Sequence, residues 1–136
     1  MVSKWKEFKL KQVIDKFIDY RGKTPPKTER GIPLITAKII KGGRILEPNE
    51  FIAKEYYEQW MTRCYPEIND VVLTTEAPLG EVALLKNKIV ALGQRIIMLR
   101  GKKELCDNAF LKYYLQSSMG QATLQSRAQG STVEGI

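Results

Sequence analysis

Between residues 20 and 44 the chain carries seven bases, Arg21, Lys23, Lys27, Arg30, Lys38, Lys41 and Arg44, against one acid, Glu29. Seven minus one leaves a local excess of +6 in a chain whose total is +7. Lysines and arginines at this density can neutralise phosphates. The punctuation at Pro25-Pro26, Gly31, Pro33 and Gly42-Gly43 puts them on loops. One such lysine is most simply a solvated loop charge; the cluster as a whole points to an anionic partner.

A second set of residues has the chemistry of base edges. Thr74, Thr75 and Glu76 run into Pro78 and Gly80, where an apolar stretch stops at a rigid turn. That turn is either a presenter of side chains to a groove or a purely structural corner. Glu76 can accept from cytosine N4 or cap the turn. Gln94 and Arg95 offer further base-reading groups beside Gly93, although alternation with Ile96 allows one of them to point into the fold. Thr24, in the first basic loop, joins the candidates for phosphate or base-edge contacts. Tyr56, Tyr57 and Trp60 have helical spacing and read as packing residues rather than stacking platforms.

Other chemistries are missing. The chain has no histidine, which removes Ser-His-Asp and Cys-His catalysis together with the commonest metal ligand. Gly22-Lys23-Thr24 resembles the end of a phosphate-binding loop, but Phe17 stands where that loop requires glycine. Asp70 and Glu81 have a spacing suited to a metal-dependent nuclease, yet Ala83 follows instead of a lysine; a turn aspartate and a surface glutamate describe them better. Cys64 and Cys106 are far apart and lie in no CxxC pair, so neither a disulfide framework nor a zinc site is expected. No glycine-rich cofactor signature occurs, and no cofactor or metal is expected. The opening residues are charged from the start and no apolar run approaches membrane-spanning length, so the expected setting is soluble and cytoplasmic, with no membrane partner.

The elements that must position these residues follow from the apolar pattern. The chain of 136 residues is long enough for one ordinary domain. Residues 5–10 and 17–18 read as short strands with a helical turn between them. Residues 34–37 read as another strand, and the i,i+4 pairs Tyr56/Trp60 and Tyr57/Met61 as a brief amphipathic helix. The runs 71–74, 82–85, 89–91 and 96–99 read as strands of a largely antiparallel sheet, with a hairpin turn at 86–88 in which Asn87 takes positive φ. Asp107 is an N-cap candidate for a helix that buries Phe110, Leu111, Tyr114, Leu115 and Met119 and leaves Lys112, Gln116 and Ser117 wet. Residues 116–130 are polar, and residues 130–133 read as an extended segment. The expected fold is α+β, a twisted and mainly antiparallel sheet with irregular basic loops and a C-terminal helical segment.

The segment DVVLTTEAPLGEVALL (residues 70–85) resembles the strand-loop-strand signature of target-recognition domains in the specificity subunits of type I restriction-modification systems. Other pieces follow in the same family order: Trp5 with LKQV (10–13), FIDYRGKTP (17–25), GIPLI (31–35), ALGQRIIML (91–99), FLKYYL (110–115) and GSTV (130–133). Shared order and spacing across nearly the whole chain carry the resemblance. It implies one recognition domain over residues 1–136, ending before a spacer helix, that reads half of a bipartite target in double-stranded DNA. It also implies a non-catalytic role beside methyltransferase (modification) subunits and a restriction subunit that translocates and cleaves. The family's second domain and its long docking helices are not found in this chain. Two other readings stand beside it, the recognition region of a fused methyltransferase-specificity enzyme and a free-standing nucleic-acid-binding module.

Overall fold

A computed structural model describes residues 14–19, 25–62, 64–76, 79–93, 95–102 and 106–130. Four strands form the main sheet: β1 (Ile14–Asp19), β6 (Val71–Thr75), β7 (Leu79–Leu84) and β9 (Ile96–Gly101), in the order β1-β9-β6-β7 and antiparallel throughout. The long β-branched and aliphatic runs of β6 and β9 are the reason these strands lie at the centre. They are buried on both faces, and alternate side chains feed two separate cores.

The first core lies on the face that carries Val72, Ala83, Ile96 and Met98. It is closed by a second sheet of β2 (Ile32–Ile35), β5 (Phe51–Ile52) and β8 (Ala91–Leu92), in which β5 pairs with β2 antiparallel and β8 pairs with β2 parallel. Leu34, Ile35, Ile52 and Leu92 point into this core. The short helix α1 (Tyr57–Trp60), continuing a 3₁₀ turn at Lys54–Tyr56, covers β8. The Trp60 indole N–H donates to the Leu92 carbonyl at 2.8 Å and the Tyr57 hydroxyl to the Val90 carbonyl at 3.0 Å, so the aromatic bodies pack while their polar tips are satisfied.

The second core lies on the opposite face, where Val71, Leu73, Val82, Ile97 and Leu99 meet Leu111 and Leu115 of α2 (Asn108–Gln116) and Leu124 of α3 (Ser118–Gly130). Ile14 belongs to this core and Ile18 to the first, although four residues separate them in one strand. A register shift between Ile14 and Lys16 adds one residue and swaps the faces. Ser117 ends α2 and caps α3 through the Gly120 N–H, which donates to the Ser117 hydroxyl at 3.1 Å.

Several details depart from the sequence expectations. Residues 86–88 do not form a hairpin, because β8 leaves the main sheet and pairs with β2; Asn87 instead accepts from the Ile89 N–H in a local turn, and among the described residues the non-glycine positive φ angles belong to Asn69 and Arg95. Asp107 occupies the N-cap without a side-chain cap bond, while Asn108 accepts from Gly101 N–H and donates to the Asn69 carbonyl. Phe110 and Met119 are 43% and 44% exposed, because the apolar face of the helix pair is narrower than their spacing implies. Residues 118–130 are helical. The strand expected at 5–10 lies outside the described residues.

Candidate nucleic-acid interface

The register of the main sheet brings distant loops to one end. β1 runs out at Asp19, opposite Ile97 near the start of β9; β6 runs out where Thr74 faces Ile96; and β7 begins at Leu79, opposite Thr75. The chain after residue 19, the turn after residue 75 and the junction before residue 96 therefore leave from the same sheet end. The Thr75 N–H donates to the Arg95 carbonyl at 2.9 Å and ties two of them directly. Beside them, the Gly93 N–H donates to the Ile35 carbonyl at 2.8 Å, which places the end of β2 and residues 36–38 next to this junction.

Arg95 is exposed and holds φ at 67°, a left-handed conformation uncommon for a side chain of its size. Glu76 is exposed at the neighbouring turn. Thr74 and Thr75 are different: they are 0% and 4% exposed, and their side chains lie inside the fold. The Thr74 hydroxyl accepts from the Glu81 N–H at 2.9 Å and stiffens the start of β7, while the buried Thr75 hydroxyl finds no partner among the described residues. Arg21, Lys23, Thr24 and Gln94 lie outside the described residues.

The remaining bases fall into two groups. Lys27 and Lys38, eleven residues apart, are brought together by a carboxylate that sequence reading passed over: Glu50 Oε2 accepts from Lys27 Nζ at 2.9 Å and from Lys38 Nζ at 3.3 Å. The hydrogen bond from Lys27 is the main reason the Glu50 carboxyl is held below its ordinary value, against the opposing effect of burial and with further help from Lys38. Arg30 is exposed just beyond Thr28, which anchors this segment by donating its N–H to the Phe51 carbonyl of β5 at 2.8 Å.

Lys41 and Arg44 face each other across a two-residue hairpin made by β3 (Ile40–Lys41) and β4 (Arg44–Ile45). Gly42 and Gly43 have φ of 61° and 84°, the pair of positive angles that lets two antiparallel strands close in the fewest residues. The hairpin rests on β7, where Glu81 Oε1 accepts from the Gly42 N–H at 3.2 Å.

The carboxylate pair considered for metal chemistry is separated by these roles. Asp70 is buried and receives the Arg100 guanidinium in a two-pronged bond, Nε to Oδ1 and an Nη to Oδ2, each at 2.8 Å, and also accepts from the Glu67 N–H. That contact is the chief cause of the upward shift of the Arg100 pKa. Glu81 instead tethers the hairpin. No cluster of metal-ligating side chains occurs among the described residues. Cys64 and Cys106 are free, and burial raises the Cys106 pKa, with Asp107 adding to the effect, which disfavours the reactive thiolate. No helix among the described residues is long and apolar enough to cross a membrane.

Comparison with known proteins agrees with this architecture. The crystal structure of an HsdS subunit from Thermoanaerobacter tengcongensis superposes with a TM-score of 0.58 at 22% identity, covering 79% of this chain and 26% of that one. A structure reported for complex assembly and conformational transition of the type I R-M system gives a TM-score of 0.56 at 21% identity, again over 79% of this chain and 26% of the other. At such identities the likeness shows the fold, and the chain spans about a quarter of the length of either structure. No curated protein sequence matches. The profile of the type I restriction modification DNA specificity domain matches residues 2–135, all but the two ends, and the chain belongs to that family.

Proposed function

We propose that this chain reads one half of a bipartite duplex DNA target for a type I restriction-modification complex and catalyses no step itself. In this reading methyltransferase subunits bring the methyl-transfer chemistry, a restriction subunit brings translocation and cleavage, and the complex works in the cytoplasm without a cofactor on this chain. Residues 1–136 act as a single recognition domain.

The observation that carries the proposal is the convergence, at one end of the main sheet, of loops whose residues suit phosphate and base contacts. Phosphate contacts give affinity and register while base contacts give sequence. We assign Lys27, Arg30, Lys38 and Lys41 to phosphates and Arg44, Glu76 and Arg95 to base edges, an arginine fork matching guanine O6 and N7 and a carboxylate matching cytosine N4. Arg21, Lys23, Thr24 and Gln94 join them from their positions in sequence, on segments that continue from β1 and precede β9. Thr74 and Thr75, enclosed in β6, support the turn from beneath rather than reach for a base.

The test is an exchange. Residues 21–44 and 74–80, taken from a domain of different specificity and placed in an intact system, are expected to change one methylated half-site and leave the other unaltered. A chimaera that assembles and still methylates the original half-site rejects the assignment.

A further inference from the structure

Lys112 lies on α2, a helix with no part in the basic loops, yet the fold carries it to the Gly42-Gly43 turn. A Cβ added to Gly43 would lie 3.6 Å from the Lys112 Nζ and 2.8 Å from the Gln116 Nε2. The ammonium also stands 5.0 Å from the centre of the Tyr113 ring. On the hairpin itself, Lys41 and Arg44 are paired across the same turn and both are exposed. The carboxylate at the turn is Glu81, already engaged by the Gly42 N–H.

Three cations from two separate elements thus surround a turn that has no side chains of its own. A Cβ at Gly42 would meet nothing within 4 Å, so the backbone there is open to close approach. Like charges held together repel one another, and an arriving anion relieves that repulsion. The Gln116 amide adds a neutral donor beside them.

We propose that Lys112 and Lys41 form a phosphate-binding point at the hairpin tip, in which a helix-borne lysine grips the duplex backbone beside the base-reading Arg44. The proposal rests on the DNA-reading function above and adds to it a contact on the C-terminal helix pair. Lys112 is placed to hold and not to read, so its loss should weaken all sequences equally.

The experiment measures binding of the full 136-residue chain to a duplex across a salt series. Lys112→Gln is expected to reduce the slope of log affinity against log salt by roughly one unit, equivalent to about a three- to four-fold smaller loss of affinity between 50 and 200 mM salt. Lys112→Arg should keep the slope, and Lys54→Gln, which removes a charge from the 3₁₀ turn before α1, should also keep it. Three outcomes overturn the inference: an unchanged slope in Lys112→Gln, an equal drop in Lys54→Gln, or a drop in Lys112→Arg. Any of these leaves the DNA-reading function intact as long as the unaltered chain binds with a steep slope. An unaltered chain whose binding ignores salt overturns both.

Discussion

At the scale of single residues, the acids of this basic chain define its organisation. Asp70 is enclosed with Arg100 as its two-pronged partner; without Asp70 the half-buried Arg100 keeps its longer pairing with Glu67 at 3.5 Å and its bond to the Tyr65 carbonyl, and the Glu67 N–H loses its acceptor. Asp70→Ala is expected to cost about 1–3 kcal/mol through the lost charged hydrogen bonds, seen as a lower denaturant midpoint with an unchanged m value. Glu50 predicts a pH effect whose sign follows from its two lysines. Its folded pKa is depressed, so its contribution to stability is complete above the ordinary carboxylate range and is lost as pH falls through the lower folded value. Glu50→Gln should flatten the dependence of stability on pH in that acid window and leave the slope near neutrality unchanged. Neither role is visible in the sequence, where Asp70 looks like a turn residue and Glu50 is one of several acids between residues 47 and 58 with no spacing that singles it out. Thr74 and Thr75 misled in the opposite sense: hydroxyl residues beside a Pro/Gly turn resemble an exposed tip. In a strand covered on both faces, polarity does not report exposure.

At the scale of elements, the central strands β6 and β9 are legible because long apolar runs admit few other readings, and the two cores follow from their alternation. The second sheet is not legible. Strands of two residues such as β5 and β8 carry no periodicity, and the parallel pairing of β2 with β8 depends on contacts 57 positions apart, Leu34 with Ala91 and Ile35 with Leu92. The hairpin expected at residues 86–88 failed for that reason. Helix α3 was equally hidden, since Leu124 is its one described residue in the second core and the rest of its described side chains are mostly polar. Its close approach to α2 depends on Gly120, where any Cβ would strike the Tyr114 carbonyl and the Leu115 backbone. With backbone on both sides there is little room to adjust, so Gly120→Ala should cost about 1–3 kcal/mol, read from thermal or denaturant unfolding. Gly42→Ala, with open space around it but φ of 61°, should cost less and act through backbone strain alone.

At the scale of the molecule, the proposed function gives holding and reading to different parts of the fold. The main sheet, whose central strands β6 and β9 are buried on both faces, is the platform; its end gathers the turn at Glu76, the junction at Arg95 and the end of β1, while the hairpin tip and α2 gather lysines on β7's side. Charge concentration in residues 20–44 was readable in sequence, but which bases are free was not: Glu50 draws two of them together, and Lys112 joins the others from far along the chain. Loss of a phosphate-holding lysine should weaken all duplexes alike, whereas Arg95→Ala or Glu76→Ala should relax preference at one base pair, by about 1–3 kcal/mol there. The most direct test of sequence reading is selection by the full chain from a pool of random duplexes at low salt, followed by titration of the recovered sequences as salt is raised. One short motif should be enriched, and its binding should fall steeply with salt while staying ahead of unrelated duplexes. A recovered pool with no enriched motif would contradict the claim that this chain reads DNA sequence.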